Sequence, residues 1–178
     1  MLELSGKNNI PKNEWSKNEL ARALLELLEE KDFQKITNKD ITDRAGFSHI
    51  TYYRNFSSKE EILKYHLQNV TNSFIRRTGI LYTPDDFRGY LILLFSHMED
   101  YRDLGNLLNR TGLIHLIKNE FDRIFPEKAS SRKDMYRYSF IAGGLFNLYY
   151  RWLCEGFRET PEELADMFLD FTISSKKE

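Results

Sequence analysis

Cysteine, histidine and proline are scarce in this sequence, and each shortage excludes something. The single cysteine, Cys154, cannot form an internal disulfide. The four histidines never stand at the HxxxH or HExxH spacing of a zinc site, so we expect no metal and no other cofactor. The four prolines, at positions 11, 84, 126 and 161, fall between the stretches with helical apolar spacing, so they interrupt no predicted helix.

Long hydrophobic runs and the common sequence motifs of enzymes are also missing. A membrane helix needs roughly 18 to 20 apolar residues, whereas the longest candidate, FIAGGLFNLYY, is bounded by Arg137 and Arg151. The N-terminus lacks the basic-then-apolar layout of a secretory signal. The sequence has no G-x-S-x-G, phosphate-binding loop or glycine-rich dinucleotide turn. We therefore expect a cytoplasmic protein that is not an enzyme, has no catalytic residues and does not bind membranes.

Apolar residues recur at helical spacing through almost the whole chain, and this pattern predicts an all-α fold of about eight or nine helices. Ser16 is predicted to cap the first helix, with Glu19 completing a capping box. Thr37 and Ser48 are predicted to cap the second and third helices, and Gly46 to end the second. A fourth helix is expected to start at Ser58. Later helices are predicted at about 85–101, 112–125, 131–155 and 160–172.

Two short helices joined by about three residues that include a glycine are typical of a helix-turn-helix, whose second helix enters the DNA major groove. No Asp or Glu occurs between Arg44 and Lys59, although the chain has 27 acidic residues. The net charge of −1 argues against a broadly basic, non-specific binder but permits a small positive face. The side chains left for the outer faces are His49, Thr51, Tyr53, Arg54 and Asn55.

Residues 16–63 resemble the N-terminal DNA-binding domain of TetR/AcrR-type transcriptional regulators, through the segments ITNKDITDRAGFS, TYYRNF and SSKEEIL. The resemblance implies an N-terminal tail and helix-turn-helix DNA-binding domain in residues 1–63, and a helical effector-binding and dimerisation domain in 64–178. It implies a homodimer, usually a repressor, on a pseudo-palindromic operator in double-stranded DNA. The family often has glycine or alanine where Ile50 stands. The DNA-binding residues that it implies are Thr37, Ser48, His49, Thr51, Tyr53, Arg54, Asn55 and Lys59.

In this family the last two helices usually form the dimer. Within YSFIAGGLFNLYYRWLCEGF, an apolar stripe runs beside two adjacent glycines, 143 and 144. A glycine inside a helix costs about 1 kcal/mol relative to alanine, so the pair indicates that another backbone comes close. The last helix has a similar apolar face, and both stripes are also compatible with a core inside one chain. The expected interface residues are Ile141, Gly144, Leu145, Leu148, Trp152, Leu164, Phe168 and Phe171.

The second half also contains residues suited to lining an effector pocket, although the same residues at helical spacing are typical of a core. The family resemblance implies an effector, either a small molecule or a protein, but the sequence does not show whether one exists or what it is. A second function stays open: a coactivator or interaction module on the same scaffold, controlled by a protein partner. The expected pocket residues are Phe74, Tyr90, Phe95, Met98 and Phe121.

Overall fold

The computed structural model describes residues 12–78, 86–124 and 129–173, and the regular elements of these segments are all helical. The all-α fold predicted from the sequence is confirmed. None of the described helices is long and apolar enough to span a membrane. The helices are α1 (Lys12–Glu30), a single 3-10 turn (Phe33–Lys35), α2 (Asn38–Ala45), α3 (His49–Asn55), α4 (Lys59–Thr78), α5 (Phe87–Asp100), α6 (Arg102–Arg110), α7 (His115–Ile124), α8 (Arg132–Cys154) and α9 (Pro161–Ile173).

The chain divides into two compact units, Met1–His66 and Leu67–Glu178, with the boundary inside α4. In the first unit, α1 packs against both α2 and α3. Its leucines at helical spacing form one buried stripe, as an amphipathic helix requires. The centre of this core consists of Leu20, Leu24, Ile41, Tyr52 and Ile62, all fully buried.

The start of α1 differs from the prediction. The helix begins at Lys12, so Ser16 is an interior residue whose Oγ donates to the carbonyl oxygen of Asn13 at 2.9 Å. This backward bond is the usual one for a serine inside a helix, and the predicted cap at Ser16 is wrong. Glu19 pairs with Arg22 instead of closing a capping box. The residues from Lys12 onward contain no helix breaker, so the helix continues through them.

The predicted ends of α2 and α3 are confirmed. Thr37 forms a capping box with Asp40, each accepting from the other's backbone N–H. Gly46 ends α2 with φ at 72°, a left-handed conformation that glycine adopts without a steric penalty. Ser48 accepts from the backbone N–H of Thr51 and caps α3.

The sequence pattern predicts a capping box between Ser58 and Glu61 at the start of α4, and only one of its two hydrogen bonds forms. Ser58 Oγ accepts from the backbone N–H of Glu61 at 3.2 Å. The Glu61 carboxylate, however, accepts from the backbone N–H of Ser57 at 2.7 Å and from the Ser57 hydroxyl at 2.6 Å. The carboxylate thus caps one residue earlier than predicted.

The second unit is built around an aromatic core in which α5 packs on α9 and α7 on α8. Trp152 lies at its centre and donates through Nε1 to the carbonyl oxygen of Glu159 at 3.0 Å, so its one polar group is satisfied. Helix α6 was not predicted, since it is short and follows α5 after one residue, Tyr101. The predicted bounds at 85 and 125 lie outside the described residues. The most buried core residues of this unit are Leu91, Phe95, Ala142, Leu145, Trp152 and Ala165.

Candidate functional site

The outward face of α3 carries a compact group of exposed side chains. Of the seven residues in this helix only Tyr52 is buried, and it anchors α3 in the core. Ile50 is 78% exposed and Tyr53 is 63% exposed, and Arg54 points into solvent beside them. Residues three and four apart lie on one side of a helix, so these three side chains form one surface. We call Ile50, Tyr53 and Arg54, with the exposed His49 one residue earlier, the α3 face.

Tyr53 is held in place from α2. The Nδ2 of Asn38 donates to the Tyr53 hydroxyl oxygen at 3.2 Å, and the Tyr53 ring meets the Tyr52 ring edge to face, with centroids 5.2 Å apart. Because the hydroxyl accepts from Asn38, its own hydrogen remains available to an outside acceptor. The sequence analysis did not identify Asn38, whose partner is 15 residues away along the chain.

Two of the expected DNA-binding hydroxyls are occupied in helix capping. The Thr37 hydroxyl donates to a carboxylate oxygen of Asp40 at 2.8 Å and accepts from its backbone N–H at 3.1 Å. Ser48 Oγ accepts from the backbone N–H of Thr51 at 3.3 Å and lies 3.2 Å from the Thr51 hydroxyl. Lys31 Nζ lies 2.8 Å from Asp40, and its hydrogen bond, with those of Thr37, holds the pKa of this carboxyl well below its usual range. The N-terminal ends of α2 and α3 are therefore exposed turns that their capping bonds already order.

Asn55, predicted on the outer face of α3, and Lys59, implied as a DNA-binding residue by the family resemblance, both form hydrogen bonds within the first unit. Asn55 Nδ2 donates to Ser16 Oγ at 3.1 Å and to the carbonyl oxygen of Thr51 at 2.8 Å, which ties α3 to α1. Lys59 Nζ donates to the carbonyl oxygens of Phe33 and Ile36, at 2.6 and 2.9 Å. These bonds use the Nδ2 group of Asn55 and two of the three N–H groups of Lys59 inside the protein, whereas the buried Oδ1 of Asn55 has no partner among the described residues. Both residues position the helices.

The positive charge of Arg54 is not compensated by any of the residues that the structure describes. Arg44, also basic and nearby in sequence, pairs with Glu30 at 2.8 Å and with Glu26 at 3.6 Å. Within the segments that the structure describes, no hydrogen bond or ion pair engages Arg54. The α3 face thus presents one free guanidinium beside a tyrosine hydroxyl and an isoleucine, a combination able to contact phosphates, base edges and thymine methyl groups.

Four of the residues expected at a dimer interface lie in the core of the chain itself: Leu145, Trp152, Leu164 and Phe168. Gly144 explains part of this packing. A Cβ at this position would lie 3.2 Å from the Phe168 ring, so the close approach that the glycine permits is between α8 and α9 of one chain. Ile141 and Leu148 are half-buried, and Phe171 is exposed.

Other apolar side chains on α8 and α9 point into solvent. Phe140 is 73% exposed and Phe171 is 68% exposed. A Cβ at Gly143 would meet none of the described residues within 4 Å, so these residues do not limit a close approach there. The four-residue spacing of Tyr136 and Phe140 is a signal that the sequence analysis missed. We call the exposed side chains Met135, Tyr136, Phe140, Tyr150, Met167 and Phe171 the α8–α9 surface.

A cavity of about 100 Å³ lies inside the second unit. Four of the five expected pocket residues line it: Phe74, Tyr90, Met98 and Phe121. Phe95 is instead fully buried in the core, with its ring centroid 6.1 Å from that of Trp152. The lining residues absent from the expected set are Leu67, Val70, Thr71, Ile75, Leu94, His97, Tyr101, Leu104, Gly105, Ile117, Glu120, Ile124 and Tyr149.

Two of the polar groups at this cavity are already satisfied. His97 Nε2 lies 3.2 Å from the carbonyl oxygen of Val70, and Nδ1 lies 3.4 Å from an Arg77 guanidinium nitrogen. This arrangement fits a neutral ring with its hydrogen on Nε2, and burial together with Arg77 lowers the pKa of His97. One carboxylate oxygen of Glu120 accepts from Arg123 at 2.8 and 3.0 Å. Across the described segments, no group of His, Cys, Asp and Glu side chains is arranged to hold a metal ion.

Helices α2 and α3 form a helix-turn-helix with capped helix starts, and its second helix exposes a tyrosine and an arginine. These features define a DNA-binding transcriptional regulator. Residues 16–65 match the family described as bacterial regulatory proteins, tetR family, and residues 85–174 match a transcriptional regulator C-terminal region. The chain belongs to the TetR family of bacterial transcriptional regulators. Members of this family bind DNA and typically dimerise.

Individual relatives agree with this assignment. The chain is 26% identical over 163 residues to the uncharacterized HTH-type transcriptional regulator YxbF of Bacillus subtilis (strain 168), matching 85% of this chain but only 43% of that protein. A TetR transcriptional regulator from Streptococcus agalactiae 2603V superposes with a TM-score of 0.63 at 22% identity, covering 90% of this chain and 94% of the other. The dihydroxyacetone kinase operon activator DhaS superposes with a TM-score of 0.58 at 16% identity, covering 91% and 96%. The two structures share the fold.

Proposed function

We propose that this protein is a homodimeric transcriptional repressor that binds a pseudo-palindromic operator and leaves it when an effector occupies the second unit. Residues 1–63 read DNA and residues 64–178 bind the effector and form the dimer. The protein acts in the cytoplasm, where it meets chromosomal DNA, and it catalyses no reaction. The observation that carries this proposal is the α3 face, where Tyr53 and Arg54 are held outward without a protein partner for the guanidinium.

The α3 face suits the reading of bases because its side chains suit different parts of the DNA. Arg54 can bond a guanine edge in bidentate fashion, and Ile50 offers an apolar surface to a thymine methyl. Tyr53, whose hydroxyl hydrogen is available, suits a phosphate, and phosphate contacts set the register without carrying sequence information. The neighbouring acidic residue Asp43 forms an ion pair with Lys39, so it opposes the DNA less strongly than a free carboxylate would.

The dimer proposal rests on the α8–α9 surface. Exposed aromatic side chains such as Phe140 and Phe171 are unfavourable in water and become buried when a second copy covers them. The half-buried Ile141 and Leu148 can extend this contact, whereas the four core residues support it from beneath. A twofold dimer presents two copies of α3 to successive major grooves, so half-sites about 34 to 36 Å apart are expected.

Selection of bound duplexes from a randomised library tests the function. The expected product is a pseudo-palindrome with half-sites about one helical turn apart. On that operator the double variant Tyr53→Ala/Arg54→Ala should bind at least about 30-fold more weakly, because each good base contact contributes roughly 1 to 3 kcal/mol. Arg158→Ala, which removes an exposed arginine from the second unit, is the matched control and should bind like the wild type. An unenriched library, or equal binding by the double variant, would refute the assignment.

A second function, a coactivator controlled by a protein partner, is favoured by the small size of the cavity and by the exposed Tyr136 and Phe140 at the start of α8. The fold also occurs in a protein named as an operon activator. If the chain acts this way, it should form a stoichiometric complex with another protein through α8. It should then show no change in melting temperature across a panel of metabolites.

A further inference from the structure

We propose that the effector is a compact neutral molecule, mostly apolar, with one hydrogen-bonding group that meets the hydroxyl of Tyr149. This inference rests on the proposed function only in treating the cavity as the effector site. It is argued from the size of the cavity, the chemistry of its lining and the bonds that its polar groups already make.

The size of the cavity restricts the ligand to a small molecule. Its volume is about 100 Å³, whereas an engineered apolar cavity of about 150 Å³ takes benzene. A single six-membered ring with one substituent is therefore at the upper limit of size, and it fits only when the lining moves outward. Met98, with its flexible side chain, lines the cavity and can provide this adjustment.

The lining selects against charge. Among the described residues that line the cavity, most are aliphatic or aromatic and none is a lysine or an arginine. Its one acidic residue, Glu120, is buried and already paired with Arg123. An anionic ligand would find no cation inside the cavity, and a cationic ligand would compete with Arg123 for the carboxylate. Because burying an unpaired charge is costly, a neutral ligand is favoured over an anionic one and over a cationic one.

Tyr149 supplies the polar contact. It is only 3% exposed and lines the cavity, with its hydroxyl against Gly105 on α6. Among the described residues no hydrogen bond engages this hydroxyl, and burial alone raises its pKa. The group is therefore a neutral, buried donor and acceptor without a protein partner. A buried polar group in this state gains free energy when a ligand atom bonds to it.

His97 differs from Tyr149 because both of its ring nitrogens have partners, on Val70 and Arg77. Thr71, Tyr90 and Tyr101 also carry hydroxyls at the cavity. Thr71 is only half-buried, Tyr101 is exposed, and Tyr90 already has a partner within the chain. The ligand's polar group is thus expected to bond to Tyr149 and not to these residues.

Phenol and toluene, which have the same size and shape, provide the test, with benzoate as the charged probe. Binding to the full-length protein without DNA is measured by ligand-observed NMR. A neutral hydrogen bond contributes about 0.5 to 1.5 kcal/mol, so phenol should bind roughly 2- to 13-fold more tightly than toluene. Benzoate should bind at least about tenfold more weakly than phenol, because its charge has no partner in the cavity.

The variant Tyr149→Phe should reduce phenol binding to the level of toluene and leave toluene binding unchanged. Thr71→Val, which removes another hydroxyl of the cavity lining, should preserve the preference for phenol. If Tyr149→Phe does not fold, NOEs from phenol to the methyl groups of Leu104 and Ile117 in the wild type locate the site independently. The inference is overturned if neither neutral probe binds, if benzoate binds as well as phenol, or if the preference for phenol survives in Tyr149→Phe. Because the assay contains no DNA, a failure of operator recognition would not affect it.

Discussion

Arg54 and His97 are both basic residues on helices, yet the first points into solvent and the second is 6% exposed. The two units likewise differ in whether the polar side chains suited to a ligand lie on the surface or inside. In the first unit the polar side chains that suit a ligand lie on the surface, beyond a core of leucine, isoleucine and Tyr52. In the second unit Glu120 and Tyr149 lie inside, around a cavity, and the exposed surface of α8 carries aromatic side chains.

This difference indicates what each surface is suited to contact. A short polar helix that exposes an uncompensated arginine suits the phosphates and base edges of DNA, which stay hydrated in part after binding. An exposed aromatic strip such as that of Tyr136 and Phe140 suits another protein surface, which excludes water from it. The comparison therefore predicts that substitutions on the two surfaces affect different kinds of binding, and that substitutions inside affect stability.

The largest effect is expected at Phe140, an exposed residue in the N-terminal half of α8. In a symmetric dimer Phe140→Asp removes two buried rings, each contributing about 1.5 to 3 kcal/mol, and adds two carboxylates. Self-association measured by analytical ultracentrifugation should weaken by at least about 100-fold. Operator affinity should fall as well, because a monomer reads one half-site only.

Asn106→Asp is the matched control for this substitution, because it adds the same charge at an exposed position on α6. It should leave self-association unchanged. If the Phe140→Asp protein sediments like the wild type, the α8–α9 surface does not form the dimer. The distinction between a DNA surface and a protein surface would then lose its support in the second unit.

A smaller effect distinguishes two neighbouring residues of α3. Asn55→Ala removes the bonds to Ser16 and Thr51 and should lower the free energy of unfolding by about 1 to 2 kcal/mol. Arg54→Ala should change it by less than about 0.5 kcal/mol, because the side chain is exposed. Urea titrations measure both values. Binding to operators with altered bases should show the reverse order. Arg54→Ala should lose the base preference of the wild type, whereas folded Asn55→Ala should keep it. Equal base preferences in the two protein variants would contradict the placement of these residues.

These residues also show how far the sequence could predict the structure. Thr37, Gly46 and Ser48 were correctly predicted because a helix end has local requirements for a cap or a left-handed residue. The roles of Asn55 and Lys59 depend on partners more than 20 residues away, such as Ser16 and the carbonyl oxygens near Phe33.

Apolar residues raise the same difficulty in the second unit. The stripe on α8 was expected at an interface and was also compatible with a core, and the burial of Leu145 and Trp152, together with the packing of Phe168 on Gly144, places these residues in the core. Tyr149 gave no signal in the sequence, because its bonding state follows from the cavity around it. Helical spacing therefore predicted the fold and the helix-turn-helix, whereas the assignment of side chains to core, cavity or surface required the tertiary structure.

His97 makes the stability of the second unit depend on pH. Burial is the main cause that lowers its folded-state pKa, and the charge of Arg77 is the second. The unfolded chain therefore binds a proton at a pH at which the folded chain does not. Stability should be fully present above the unfolded pKa of about 6.5 and should decrease as the pH falls below it. His97→Gln should flatten this dependence in melting curves between pH 7.5 and 5.5.

His66 must be measured alongside, because burial lowers its pKa as well and its contribution has the same sign. His66→Gln and the double variant separate the two contributions. A pH dependence that is unchanged in His97→Gln would mean that the bonds from His97 to Val70 and Arg77 do not require the neutral ring.

The smallest effect is expected at Tyr52, whose buried hydroxyl has no partner among the described residues. Burial raises its pKa to about 12, so the group stays neutral, but it gains no hydrogen bond in exchange for its lost hydration. Tyr52→Phe should therefore leave the free energy of unfolding unchanged or increase it by up to about 1 kcal/mol, whereas a bonded hydroxyl would cost about that amount when removed. Tyr53→Phe is the control on the exposed side of the same helix, and it should change stability by less than about 0.5 kcal/mol while weakening operator binding. A loss above about 1 kcal/mol in Tyr52→Phe would show that a buried water or another group bonds to this hydroxyl, and that the first unit, like the second, keeps a functional polar contact inside.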